Sequence, residues 1–200
     1  CSLILNGKDR PIKIELQNFL KESGDTPGTR KTFIYNTFEK LMKAISKSLK
    51  KNDPNHLNLG IRYGYIEQLD DELLRISKES FDALSFNCYA LSPDHEKMNH
   101  ALEISGLPMI IGEYHFGTVD RGLAQSLWQV NSQKERGDAF RYYTENAFAH
   151  RGLIGTGWFR WIDQNINGRT DGENYNCGFI DVTDRPYPYM VDAAIETAKS

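Results

Sequence analysis

Apolar and polar positions change period repeatedly along the chain, and those changes predict helices alternating with strands. In residues 12–22 (IKIELQNFLKE) the apolar positions Ile12, Ile14, Leu16, Phe19 and Leu20 suit a helix, with Pro11 in its first turn. The turn formers SGDTPGTR at 23–30 predict a loose connection. Residues 35–50 then place Phe38, Leu41, Met42, Ile45 and Leu49 at helical spacing, with lysines filling the other face until Pro54 blocks continuation. Beyond it the pattern predicts strands over 56–64, 81–90, 108–117 and 151–163. Helices are predicted over 69–78, 94–104, 134–149 and 188–198.

Strands alternating with helices argue for an α/β fold built on a parallel sheet. Each predicted strand finishes in polar or aromatic groups: Arg62 and Tyr63, Asn87 and Tyr89, Glu113 and His115, then Trp158, Arg160 and Asp163. Active sites of (β/α)8 TIM barrels sit at the carboxyl ends of their strands. Four βα units cannot close such a barrel, which takes ~250 residues, and an open half would leave two strand edges unpaired. The expectation is the second half of a barrel, strands five to eight, with residues 1–200 as one catalytic half-domain. The start at Cys1 adds the expectation of a processed or truncated product.

Composition narrows the function. The chain has 24 Lys and Arg against 27 Asp and Glu, a net charge of −3, so no basic field marks a nucleic-acid partner. No apolar run approaches the ~20 residues of a membrane span. Three cysteines (Cys1, Cys88, Cys177) lack ligand spacing, so neither a disulfide framework nor a zinc site is expected. The glycines of GLIGTGW do not open a helix after a strand, and no phosphate-binding GxxxxGK occurs, so no cofactor is expected.

Glu113 carries the chemical argument. A carboxylate ending an apolar strand is costly to bury alone, so it either pairs with a cation or has a chemical task. Aromatic residues near the strand ends (Tyr63, Tyr89, Tyr114, Trp158, Trp161) suit the apolar faces of sugar rings, and Asn, Arg and His suit their hydroxyls. Phe86 and Phe159 read as core. His115 shares a strand face with Glu113 and either serves the site or is a satisfied core histidine. His95 and His100 read as a solvated face, His56 and His150 as structural. In GRTDGENYNCGF (168–179), Asn174 recognises hydroxyls or the loop bonds to itself. Its spacing fits no EF-hand, and no metal is expected. Glycoside cleavage needs two carboxyl groups, and neither Asp163 nor Glu173 has a spacing that marks a proton donor.

The stretches DPNHLNLGIRYG, FDALSFNCYA, PMIIGEYHFGTVDRGL and GTGWFRWIDQNINGRTDGENYNCGFIDVTDRPYP together resemble the family 50 glycoside hydrolases, the agarase family of clan A, from about Asn52 onward. The resemblance implies a retaining hydrolase of β-galactosidic linkages in agarose-type galactans. It implies Glu113 as nucleophile, Tyr89 as the residue that orients it, and Trp158 as a stacking platform. Arg62, Asn87, His115, Asn174 and Arg160 complete the expected substrate-binding set. The acid/base glutamate falls upstream of Cys1, on a missing N-terminal half that is cut away, carried on a second chain or never made. Gly157-Trp158-Phe159 departs from the family's His-Trp-Phe, and Arg160 raises the idea of an anionic or sulfated galactan. Polymer degraders of this kind are commonly exported, which favours a secreted or periplasmic location. The rival readings are a non-catalytic carbohydrate-binding subunit and another clan A exo-β-galactosidase.

Overall fold

The computed structural model describes residues 1–200. A short helix α1 (Ser2–Leu5) precedes α2 (Pro11–Ser23) and the long α3 (Pro27–Asn52). Then follow β1 (Arg62–Tyr63), α4 (Asp71–Ser80), β2 (Leu84–Asn87), α5 (His95–Ser105), β3 (Met109–Tyr114), α6 (Gln133–Phe148), β4 (Leu153–Trp158) and α7 (Pro188–Thr197). The four strands form one parallel sheet in the order β1-β2-β3-β4. No helix is long and apolar enough to cross a membrane.

Local chemistry sets the helix starts. Asp70 accepts the Leu73 N–H, Asp94 those of Glu96 and Lys97, and Ser132 that of Glu135. Each satisfies backbone donors left over in the first turn. Proline opens α2, α3 and α7. The expected loop at 23–30 is half helix. Thr26 and Thr29 cap each other reciprocally ahead of Pro27, so α3 begins eight residues before the apolar periodicity does.

The strands are shorter than the pattern predicts. Gly60 has φ 69°, outside the extended region, so β1 cannot run back through 56–61. At the edge it pairs only through Arg62↔Ser85 and Tyr63↔Phe86. Helices α5, α6 and α7 share a core with one face of the sheet. There Tyr63, Leu84, Phe86, Met109, Ile111, Tyr114 and Leu153 share a continuous core with Met98 of α5, Tyr143 of α6 and Met190 of α7. Helix α6 comes so close to α7 that a Cβ on Gly137 would strike the Tyr189 carbonyl. Leu16, Leu20 and Phe33 form a separate small cluster between α2 and α3.

Candidate active site

The opposite face of the sheet carries polar groups. Along β3, Met109 and Ile111 point into the helix-side core, and strict alternation would send Glu113 there too. The ladder instead shifts register between Phe86 and Asn87 on one side and between Ile111 and Tyr114 on the other. Such a bulge re-aims side chains. Glu113 therefore turns to the face of Arg62 and Asn87, Tyr114 takes the core position, and His115 returns to the side of Glu113. Gly112 lies beneath the Arg62 side chain, where a Cβ would collide with it.

Three donors hold the Glu113 carboxylate. Arg62 Nη2 pairs with Oε1 at 2.7 Å, Tyr89 Oη donates to Oε2 at 2.6 Å, and Asn87 Nδ2 donates to Oε2 at 3.1 Å. Its side chain stays 17% exposed, so the group is neither sealed in nor free to wander. Burial first, and the bond to Glu113 second, push the Tyr89 phenol well above its ordinary range, so it remains a donor. The buried Asn87 Oδ1 has no partner.

A cavity of about 220 Å³ opens here, lined by Tyr89, Glu113, His115, Leu127, Phe159, Arg169 and Glu173. The structure thus brings Arg62, Asn87, Tyr89, Glu113 and His115 together, and it moves the other expected groups elsewhere.

Trp158 does not line this cavity. Its ring lies against Tyr114, Phe116, Phe140 and Phe179, with centroids 5.2 to 6.3 Å away, and its Nε1–H is spent on the Cys177 carbonyl at 2.7 Å. Its neighbour Phe159, expected in the core, lines the cavity beside Tyr89; one residue along a strand reverses the face. His115 does face Glu113's side, yet both its ring nitrogens serve the backbone. Leu127 N–H donates to Nε2 at 3.1 Å, so Nδ1 carries the proton and donates to the Phe159 carbonyl at 2.8 Å. No ring nitrogen is left over for a hydroxyl in this arrangement. Burial lowers its pKa to about 4. Its ring packs against Tyr89 at 4.8 Å and so steadies that residue.

Asn174 is turned into its own loop, its amide reaching the Ile166 carbonyl at 3.5 Å. Arg160 makes no side-chain hydrogen bond or ion pair and does not line the cavity. The guanidiniums closest to the site, Arg62 and Arg169, are both already paired with carboxylates. Asp163 is also structural: buried, it accepts from Asn176, Gly178 N–H and Tyr187 Oη. With the fully buried Arg136, which donates to the Phe116 and Gly178 carbonyls, this network ties the loops after β3 and β4 together. His95, expected in solvent, bonds the Asn146 carbonyl at the end of α6 and packs on His150.

Sequence reasoning passed over Arg169 and Glu173 as cavity residues. The dense charges of GRTDGEN were the available signal, but only the folded loop brings them beside Glu113.

No family model matches the chain. Over 159 residues, 76% of this chain, it is 37% identical to beta-agarase A of Vibrio sp. (strain JT0107). It is 35% identical to beta-agarase B of the same organism over 162 residues, 78% of this chain. Each alignment spans 16% of the relative, so the chain covers about a sixth of those proteins. Among solved structures it superposes on the crystal structure of an agarase with a TM-score of 0.80 and 34% identity. That match covers 86% of this chain and 25% of the other.

Proposed function

We propose that this chain, which is agarase-like and resembles the family 50 glycoside hydrolases over part of their length, is the C-terminal half of a (β/α)8 catalytic barrel. On this reading β1 to β4 are barrel strands five to eight, and the other half comes from upstream residues or a second chain. The substrate is an agarose-type galactan or its oligosaccharides, and the reaction is hydrolysis of a β-galactosidic bond with retention.

The observation that carries the reading is the Glu113 carboxylate, oriented by Arg62, Asn87 and Tyr89 at a cavity on the carboxyl end of a parallel sheet. Glu113 attacks the anomeric carbon to form a glycosyl ester while an acid outside these residues protonates the departing oxygen. Water, deprotonated by the same group, then releases the sugar. Tyr89 and Arg62 keep the attacking oxygens in place throughout, which is where fixed geometry lowers a barrier.

The test is hydrolysis of neoagarotetraose by the polypeptide carrying this chain, with Glu113→Gln in parallel and products resolved by length and by anomer. Disaccharide that first appears as the β-anomer, and is absent with the variant, supports the reading. Equal release by parent and variant overturns it. Binding without hydrolysis by either would favour a carbohydrate-binding role.

A further inference from the structure

A second carboxylate faces the same cavity and has no part in the reaction above. Glu173, on the loop after β4, lines the cavity with Tyr89, Glu113 and Phe159. Every side-chain contact of Glu173 falls on one oxygen. Oε2 accepts from Gln164 Nε2 at 2.8 Å and pairs with Arg169 Nη1 at 3.2 Å, while Oε1 is left without a protein partner. The side chain is 28% exposed, so protein does not enclose it.

The supports are themselves fixed. Gln164 is fully buried, and its amide oxygen accepts the Tyr175 N–H at 2.7 Å, which sets the amide so that its NH2 faces Glu173. Arg169 is held at its other nitrogen by Asp171 at 2.8 Å. A carboxylate anchored through one oxygen, with the other open, is an acceptor placed before any ligand arrives, and preorganisation of this kind spares ordering cost on binding. The complement of a free carboxylate oxygen is a neutral donor. A ligand anion would meet two carboxylates and two guanidiniums already engaged with them. The phenol of Tyr89 also feels the charge of Glu173, which places the two groups in one electrostatic environment.

We propose that Glu173 is a sugar-binding carboxylate: its Oε1 accepts a hydroxyl of the ring whose anomeric carbon faces Glu113, with Gln164 and Arg169 as positioning residues. The proposal rests on the reading of Glu113 given above, and it assigns to Glu173 the hydroxyl recognition first expected of Asn174. Arg169 and Gln164 act only through Glu173, so their loss should weaken binding less than loss of the carboxylate itself.

The experiment is calorimetric titration of neoagarotetraose onto the polypeptide carrying this chain in a Glu113→Gln background, which keeps the ligand uncleaved, and onto its Glu173→Gln, Glu173→Ala and Asn174→Ala variants in the same background. It is repeated with analogues that each lack one ring hydroxyl. Hydrogen bonds to charged groups are worth enough that Glu173→Ala should weaken binding about tenfold to a hundredfold. Asn174→Ala should leave it unchanged. For one deoxy analogue the loss should be shared with Glu173→Ala rather than added to it, a coupling that a merely structural role would not produce. If Glu173→Ala fails to fold, the isosteric Glu173→Gln answers the same question through the same coupling. Binding by the parent with no coupling to any hydroxyl would overturn the role of Glu173 and leave the reading of Glu113 standing. No binding by the parent would overturn both.

Discussion

The two faces of one strand end differ more than any two separate regions of the chain. Tyr114 stacks on Tyr143 at 4.0 Å and 9°, bonds its hydroxyl to Thr144 at 2.6 Å, and is 1% exposed. Glu113, its neighbour, faces a cavity and is held by charged and polar groups from the ends of β1 and β2. Trp158 and Phe159 repeat the contrast, one packed among aromatics and the other at the cavity. One face packs into the core, where its value is stability; the other borders a cavity, where its value is orientation. Aromatic residues at strand ends are therefore two populations, and packing decides which of them a ligand can touch.

Glu113→Gln should break the comparison most sharply. Turnover of agaro-oligosaccharides should fall about a thousandfold or more, ~4 kcal/mol in the barrier, with melting temperature nearly unchanged. Thermal melts beside steady-state rates would separate the two effects. Trp158→Ala should do the reverse, losing about 3 kcal/mol of stability in urea unfolding as aromatic core truncations do. A stable Trp158→Ala protein that no longer binds oligosaccharide would show that the faces had been assigned the wrong way round.

His115 lies where the faces meet and should report through pH. Its folded pKa of about 4 lies below the ordinary 6.5, because burial disfavours the cation and Nε2 is already accepting the Leu127 N–H. The unfolded chain therefore binds the proton first. The stability due to the neutral ring is complete above pH 6.5, declines as pH falls, and is gone below about 4, a loss of roughly 3 kcal/mol. Urea midpoints across that window should be steeper in pH for the parent than for His115→Gln. The smallest effect is expected from Tyr89→Phe. Removing one hydroxyl from Glu113 should cost about 2 kcal/mol, roughly thirtyfold in turnover, with little change in unfolding.

Much of the architecture was written locally. Proline at the first position of α2 and α7, and the acidic or serine caps of α4, α5 and α6, mark those helices because capping depends on neighbours in sequence. The order of strands and helices already implied a parallel sheet, and a lone carboxylate closing an apolar strand already singled out Glu113. Tyr89 as its partner came from family resemblance, and the bond between them is present at 2.6 Å.

Other features had no local signature. A register shift of one residue at Gly112 and Glu113 is invisible to a period-two reading, yet it decides which of Glu113 and Tyr114 meets the cavity. The same blindness left Phe159, and not Trp158, at the cavity lining unforeseen. The ring nitrogens of His115 meet two backbone groups, Leu127 and Phe159, that are 12 and 44 residues away. Glu173 gained its place from a loop folded over β3. The chain by itself determined which elements form and which carboxylate is out of place, since propensity, capping and periodicity act within a few residues. Only the tertiary structure decided what each side chain faces, since that depends on bulges and returning loops whose contacts join residues distant in sequence.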